Sequence, residues 1–534
     1  MDDMTTDGLP ARPAPDSHAG ATENAGISAA RKVRFALLLV VLLAAVGLAA
    51  AVRAHHRREF ARALADVRVA LYKLDLEAAE SALNRAKEMQ PEDARPDSLA
   101  VALYYAGGNL EASLSIFSQL DLSGVVAQLD PDTVAAADEA CLELGLSIEE
   151  EERTQIGAAG VGYLQDCGLL WNIASRVIRG AATDTDRALM LLDALTLATI
   201  PERDPILTDP QTVIWRGYGT PGQLAWTYAA LAGQVDLPCR VAVLPAGEAE
   251  DYLVEVYPSG AQPFLVDPVR GVPVIDPASG DPLSFDAIRR DPSRYAALIA
   301  LAGPEAARAA GDPGAAELKT VAHPYGYLKR FLVFEHLLSD LRVHPRLGFG
   351  PVPPGERAPL WDLPTANTLA PVSPEQTALL ERTDRPFWIV NPGRRLQMQG
   401  LNKEADNAYV MIEVDLRRKL AEADVPDAVA VLTETLEHVA YFRALNAVEG
   451  GAYEGAELLL RNYMERYPTG RWSLSTSTLL AETLHRRSKH AEAAEIWREL
   501  SGPRALYGAL RLRGMAAGAA SAAPDPSDTY LQTE

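Results

Sequence analysis

The chain has 534 residues, a length that suggests three to four domains at about 150 residues each. Its 50 Lys and Arg stand against 72 Asp and Glu, and the formal charge of −22 argues against a nucleic-acid-binding surface. Three cysteines, none in a CxxC pair, exclude a disulfide framework and argue against a structural zinc site. No two histidines share a HExxH spacing, and no phosphate-loop or dinucleotide-binding motif appears, so we expect no metal and no cofactor.

The N-terminal region predicts a membrane anchor. Residues 1–30 are rich in Ala, Gly, Pro, Asp and Thr without an apolar period, which predicts a disordered tail. The next apolar run, 35–52, would span about 27 Å as a helix, enough for the hydrocarbon core. A transmembrane signal anchor is the favoured interpretation. A cleavable signal peptide, with small residues at 49–51 near a cut, and a buried core helix are the alternatives.

Lys and Arg flank the apolar run on both sides, and their numbers nearly cancel. The positive-inside rule therefore gives no orientation for the large domain.

Residues 57–150 predict a first helical block. Leu-Glu-Ala at 76–78 recurs at 110–112, and Gly107-Gly108 supplies a turn in the second copy. The offset from 76 to 110 resembles the period of tetratricopeptide repeats, which is about 34 residues. Because one such helix pair cannot bury its apolar stripe alone, neighbouring pairs are expected to stack.

The most informative stretch is 213–268. A turn bounded by Gly217 and Gly219 precedes a helical pattern, and LPCRVAVL then predicts a turn into a buried strand. YLVEVY and PFLVDP alternate as two strands that could pair through the turn at 258–260.

This order of elements resembles the transglutaminase-like core of the papain-like fold. Members carry a pattern close to G-x-G-x-C-x-[ED]-x-A, a helix, G-I-P-A-R with a strand, H-A-W-V-E-V, and a strand ending in D-P. The resemblance implies an α+β domain over 155–300, which helices at 160–200 would complete. It also implies a Cys nucleophile at a helix N-terminus, a His that takes its proton, and an Asp that orients the imidazole.

The family's catalytic positions are mostly replaced in this chain. Laying G-Y-G-T-C over 217–220 places the nucleophile at Pro221, which has no nucleophilic atom but suits the first turn of a helix. The His position falls on Asp251, and the Asp position falls on Asp267. An Asp before Pro also bonds turn N–H groups at a strand end. No catalytic residue is therefore expected, although the three positions should converge on one cleft.

Histidine is missing where catalysis would need it, because the sequence holds none between His56 and His323. Cys239 in LPCRV is expected to be a small buried residue, and Cys167 should lie on an upstream helix. Only a His323 that folds back from beyond the core could activate either thiol.

The sequence gives little support for two other kinds of site, a threonine nucleophile and a calcium site. Thr220 has no identifiable base beside it, so it is not expected to be a nucleophile. The acidic cluster of Glu248, Glu250 and Asp251 lacks the spaced ligands and turn glycine of a calcium loop, and is expected to be a solvated loop.

The remaining chain divides into three parts. Residues 301–425 combine helix with Pro-rich loop, and LKRFLVFEHLLSDLRV is a clear helix. Residues 426–513 resemble a second tetratricopeptide-like block, in which Ala456 recurs as Ala494. Residues 514–534 predict a disordered tail. The helical blocks could form concave peptide-binding surfaces or serve only as scaffold helices.

The sequence predicts a membrane-anchored, catalytically inactive transglutaminase-like protein that binds a protein or peptide partner or acts as a scaffold. One alternative is an active cysteine peptidase or amide-bond enzyme of the same family with a rearranged site. Another is a purely structural membrane assembly factor. The family resemblance favours an extracytoplasmic location for the large domain.

Overall fold

The structure is a computed structural model that describes residues 24–121, 125–127, 129–143, 156, 158–202, 210–247, 249–320, 326, 328–342, 344–347 and 389–520. The described chain is mostly helical and carries one five-stranded sheet and one two-stranded sheet. It forms two compact units: one holds the chain up to residue 71 together with 75–96, and the other holds 72–74 and the chain from 97 onward. Mixed α and β structure with helical blocks is confirmed at this level.

Helix α1 (Asn24–Lys73) joins the predicted membrane segment to the first helical block without a break. Its part from Val33 onward is long and apolar enough to cross a membrane. Beyond the apolar run, α1 buries one face at helical spacing through Phe60, Ala63 and Val67. The predicted disordered tail is wrong for residues 24–30, which are helical, while residues 1–23 lie outside the described residues.

Among the described residues of the N-terminal third, α1 is followed by α2 (Leu76–Met89), α3 (Arg95–Ala106), α4 (Leu110–Phe117) and α5 (Pro131–Glu143). The turns before α2 and α4 repeat each other at the predicted offset. The side chain of Asp75 caps α2 by accepting from the N–H of Ala78, and Asn109 caps α4 by accepting from the N–H of Ala112. The residues before these caps, Leu74 and Gly108, are both left-handed.

The middle of the chain begins with four helices: α6 (Ala158–Val177), α7 (Asp184–Ala198), α8 (Pro210–Arg216) and α9 (Pro221–Gly233). Its strands are β1 (Ile200–Pro201), β2 (Tyr218–Gly219), β3 (Cys239–Ala246), β4 (Ala249–Val256), β5 (Phe264–Asp267), β6 (Val272–Pro273) and β7 (Glu317–Lys319).

Strands β3 to β7 form one antiparallel sheet in the order β6-β5-β4-β3-β7, whereas β1 and β2 pair in parallel. Strands β4 and β5 pair with Val254 opposite Val266, so the predicted pairing of YLVEVY with PFLVDP is confirmed. Helix α9 packs on β3 and β4. The predicted turn, helix and three strands therefore all form in the expected order.

Helices α10 (Phe285–Arg290), α11 (Pro292–Ala300) and α12 (Pro304–Ala309) lie between β6 and β7 in the chain. Helix α13 (Lys329–Leu338), in the predicted LKRFLVFEHLLSDLRV segment, follows β7. The predicted Pro-rich loop falls mainly on 348–388, which lies outside the described residues.

The C-terminal block contains α14 (389–398), α15 (Asn402–Glu422), α16 (Pro426–Glu449), α17 (Tyr453–Arg466), α18 (Ser473–Arg486), α19 (His490–Glu499) and α20 (Ala505–Ala520). From α15 onward, each helix packs against the next. The left-handed turn residues Gly451 and Ser488 mark equivalent points before α17 and α19. Counted from these turns, Ala456 corresponds to Ala493, and both side chains are fully buried. The predicted equivalence of Ala456 with Ala494 is therefore wrong by one position.

The end of the chain also differs from its prediction. Helix α20 continues to Ala520, so residues 514–520 are not a disordered tail. Their Ala-rich sequence favours helix, and the predicted disorder did not take this propensity into account. Residues 521–534 lie outside the described residues.

Candidate functional site

Pro221 begins α9 at the position where the resemblance expects a nucleophile. Thr220 caps the helix: its hydroxyl accepts from the N–H of Gln223 at 3.3 Å, and its own N–H donates to the Gln223 side chain at 2.8 Å. Proline suits this first turn because its missing N–H would have no partner inside the helix. Its ring offers no group for hydrogen bonding or for nucleophilic attack.

Asp251 on β4 and Asp267 on β5 both bind Arg270, which lies in the turn between β5 and β6. The Arg270 guanidinium donates to Asp251 at 2.9 Å through Nη2 and to Asp267 at 2.6 Å through Nη1. All three residues are buried. The sequence thus identified two carboxylates that do meet, but it missed the arginine that joins them.

Asp267 also holds the turn that carries Arg270. Its second carboxylate oxygen accepts from the backbone N–H of Arg270 at 2.8 Å, and its carbonyl accepts from the N–H of Gly271 at 2.7 Å. The prediction that this Asp bonds turn N–H groups is confirmed.

Burial governs the electrostatics of this cluster. It raises the pKa of Asp267, against the opposing pull of the adjacent Arg270. Burial by itself would lower the pKa of Arg270, but the Asp267 and Asp251 carboxylates outweigh it and hold that pKa well above its ordinary value. The guanidinium therefore stays charged, and with both carboxylates ionised the cluster would carry one net negative charge.

Residues from other parts of the chain pack closely around the Asp251 side chain. The hydroxyl of Tyr295 and the N–H of Gly311 both donate to Oδ2 of Asp251 at 3.4 Å. A Cβ on Gly311 would stand 2.5 Å from the Cβ of Leu244, so the chain passes too close for any larger residue. Asp251 is therefore a buried strand residue, and its prediction as part of a solvated acidic loop is wrong.

Glu250, a second member of that acidic cluster, does not join Asp251. Glu250 is exposed and accepts from the hydroxyl of Tyr252, while Glu248 lies outside the described residues.

The turn before Pro221 is covered by the C-terminal block. Gly217 is left-handed, and a Cβ there would stand 2.7 Å from the Trp472 ring. The guanidinium of Arg471 lies 4.1 Å from the centre of the Tyr218 ring and donates to Glu202 at 2.9 Å through Nε. Side chains of the turn that precedes α18 therefore cover the turn before Pro221.

A second buried arginine crosses from the C-terminal block to the sheet. Arg504 donates to the carbonyls of Thr196 and Thr199 at 2.8 and 2.9 Å, and to that of Val269 at 3.2 Å. Burial lowers its pKa to about 10. A lone Arg in a helical segment gave no sequence signal for this contact.

The cysteines do not have the environment of an activated thiol. Burial raises the pKa of Cys239 to about 12, and it also raises the pKa of Cys167 above its ordinary value. Cys239 lies at the start of β3, and Cys167 lies on α6 as predicted. His323, the imidazole that would have to fold back to activate either thiol, lies outside the described residues.

No known family model, curated protein or solved structure matches this chain.

Proposed function

We propose that this chain is a membrane-anchored transglutaminase-like protein whose site no longer catalyses and whose role is to bind a protein or peptide partner. The resemblance is supported by the order of a capped helix, β3, β4 and β5, and by the meeting of Asp251 with Asp267. Both lie on neighbouring strands that pair in antiparallel register.

The observation that carries the loss of catalysis is the use of both carboxylates by Arg270. In a Cys-His-Asp site the carboxylate orients an imidazole, which must be free to accept and return a proton. Here, Asp267 accepts from both the side chain and the backbone of Arg270, and Asp251 accepts from the same guanidinium. An arginine cannot replace the imidazole, because it does not release its proton near neutral pH.

A thiol-reactivity assay tests the loss of catalysis in the full-length protein. The raised pKa values of Cys167 and Cys239 leave little thiolate at pH 7, so iodoacetamide should label both residues slowly. At equal thiolate content, their labelling rate should be no higher than that of the denatured protein. Cysteine-to-Ala variants at 141, 167 and 239 assign any labelled site. Rapid labelling of one cysteine, abolished by His323→Ala, would restore the alternative of an active cysteine enzyme.

The binding role is supported by the helical hairpins that precede and follow the sheet domain in the chain, a type of architecture that commonly presents extended binding surfaces. Chemical crosslinking in native membranes, followed by mass spectrometry, would test it. The cysteine-free variant is the matched control. The proposal expects the same crosslinked partner with both proteins, at the same yield. Loss of the partner in the cysteine-free variant would point to a thiol-linked substrate, and absence of any partner would favour a purely structural factor.

Anchoring through α1 is part of the proposal, supported by its length and its exposed apolar side chains. An epitope tag at the N-terminus distinguishes an anchor from a cleaved signal. The anchor predicts that the tag and the C-terminal domain migrate as one chain. Cleavage near residues 49–51 would separate them.

A further inference from the structure

An apolar cavity of about 220 Å³ lies away from Arg270, among helices α6, α7, α14 and α16. Its walls include Ile173, Leu191, Leu195, Leu445 and Val448. Among the described residues that line it, Pro221, Asp251 and Asp267 are absent. The cavity therefore concerns a different part of the domain from the proposed degenerate site, and what it binds does not depend on the proposed partner.

Charged side chains border this apolar space with an excess of arginine. Arg176, Arg394 and Arg486 line the cavity together with Asp193 and Glu449, so formal positive charge exceeds negative charge by one. Arg394 is only 2% exposed. Its burial means that the cavity holds a fixed positive charge close to apolar walls.

The hydrogen bonds of two of these arginines go to neutral carbonyl groups. Nη2 of Arg394 donates to the carbonyl of Ile214 at 2.7 Å, and Nη1 of Arg176 donates to that of Gln397 at 3.2 Å. These bonds orient the guanidinium groups without cancelling their charge. Burial lowers the pKa of Arg176, Glu449 opposes that effect, and the nearby positive charge of Arg394 adds to it. An anion beside both groups would relieve their repulsion.

The size of the cavity limits what the arginines could hold. An apolar cavity of about 150 Å³ admits benzene, so this one has room for roughly nine or ten non-hydrogen atoms. A phospholipid is several times larger. An inorganic anion would leave the apolar walls uncovered.

We propose that this cavity binds a single-chain carboxylate of medium length, such as octanoate. The alkyl chain lies against the Leu, Ile and Val walls, and the carboxylate lies at Arg176 and Arg394. Guanidinium groups suit this role because their planar N–H donors match a carboxylate in geometry and charge.

Equilibrium dialysis of labelled octanoate against the full-length protein in nanodiscs tests the proposal, with empty nanodiscs subtracted. We expect saturable binding of one octanoate per chain. Octanol, which has the same chain without the charge, should bind at least tenfold more weakly. No saturable binding, or equal binding of octanol, would overturn the proposal.

Two variants locate the site. Ala194→Leu adds three carbon atoms to the cavity wall and should abolish binding, whereas Ala428→Leu makes the same change on an exposed helical surface and should not. Arg176→Gln should weaken octanoate at least tenfold while leaving the affinity for octanol within twofold. If Ala194→Leu does not fold, as judged by circular dichroism, the Arg176→Gln comparison decides. Unchanged octanoate binding in Arg176→Gln would refute the assigned carboxylate position.

Discussion

The guanidinium of Arg270 binds two buried carboxylates of the sheet domain, Asp251 and Asp267. Asp251, Asp267 and Arg270 are 6%, 1% and 9% exposed. A buried ion pair contributes little net stability by itself, but the removal of one partner leaves an uncompensated charge in the interior. The three members are therefore not equivalent: Arg270 is the one cation that both acids share, whereas either acid alone could balance the charge of Arg270.

This asymmetry predicts the effect of removing the arginine. Arg270→Met should lower the free energy of unfolding by about 3–5 kcal/mol, because it leaves two neighbouring carboxylates without a cation. Burial already raises the pKa of Asp267, and loss of Arg270 removes the opposing effect. The loss of stability relative to the parent protein should therefore shrink as the pH falls and the carboxylates take up protons. Urea unfolding of the detergent-solubilised chain at pH 7 and pH 5 measures both effects.

The matched comparison is Asp251→Asn. It keeps the ion pair between Arg270 and Asp267 and removes the excess negative charge, so its cost should be smaller, about 1–2 kcal/mol. A larger loss in Asp251→Asn than in Arg270→Met would show that Arg270 does not carry the charge balance of the cluster.

His438 gives the C-terminal block an acid sensitivity. It is fully buried, Nδ1 lies 2.7 Å from the carbonyl of Glu434, and the imidazole meets the Trp472 ring edge-on with centroids 5.5 Å apart. Burial lowers its pKa to about 3. The unfolded chain takes up the proton near pH 6.5, so the native state loses stability as the pH falls from there toward 3.

At pH 5 this difference amounts to about 2 kcal/mol. His438→Gln should therefore flatten the dependence of unfolding free energy on pH between 7 and 5, even if its stability at pH 7 is lower. The control is His490→Gln, which removes an exposed imidazole from the same block. If both variants lose the same part of the acid dependence, its origin is not His438.

At the scale of single elements, the turn before α9 shows how tertiary packing selects glycine. Gly217 and Gly260 have nearly equal positive φ angles of 78° and 74°, but a Cβ on Gly260 would meet nothing within 4 Å, whereas one on Gly217 would stand 2.7 Å from the Trp472 ring and 3.1 Å from both the Phe442 ring and the carbonyl oxygen of Ala198. Left-handed backbone costs an alanine about 1–2 kcal/mol, and a forced contact in a packed interior adds about 1–3 kcal/mol.

Gly217→Ala should consequently destabilise the chain by about 2–5 kcal/mol, and Gly260→Ala by about 1–2 kcal/mol. The difference between the two losses of unfolding free energy measures the crowding around Gly217, of which the Trp472 ring is the nearest part. Equal losses would mean that the residues packed around this turn move apart without cost.

The elements that were predictable are those whose signal is local. Helix α9 and strands β3 to β5 follow from apolar spacing and turn residues within the single stretch 213–268, and the helices that begin at Leu76 and Leu110 follow from the repeat at those positions. The contacts of Arg270 and Arg504 were not predictable, because the sequence around an arginine does not indicate which buried acceptors its side chain binds. The helical extent of residues 24–30 and 514–520 was missed since their composition also suits a disordered chain.

At the scale of the whole molecule, the sheet domain and the C-terminal block belong to one compact unit. Arg504, in the turn directly before α20, donates hydrogen bonds to the carbonyls of Thr196 in α7 and Val269 after β5. The hydroxyl of Tyr441 on α16 donates to the carbonyl of Leu197 at 2.6 Å. These bonds satisfy polar groups that would otherwise be buried without partners. The block is thus part of the domain's interior and not only an appended repeat.

The proposed membrane anchor is the feature of the whole chain that a simple fractionation can test. In α1, Val40 and Leu43 lie near the middle of the apolar run and are 63% and 61% exposed. At the centre of a membrane helix, Arg costs about 3 kcal/mol, whereas Val or Leu gains a few tenths. The double variant Val40→Arg, Leu43→Arg should therefore lose about 6–7 kcal/mol of insertion free energy and move from carbonate-washed membranes to the supernatant.

The double alanine variant at the same two positions is the control, because it shortens the side chains without adding charge, and it should stay in the membrane fraction. Both variants should keep the helical circular dichroism of the parent protein, since the substituted side chains face outward. Retention of the arginine variant in washed membranes would mean that another part of the chain, or a bound partner, holds the protein there. Release of the alanine variant would mean that the apolar run is too weak an anchor by itself.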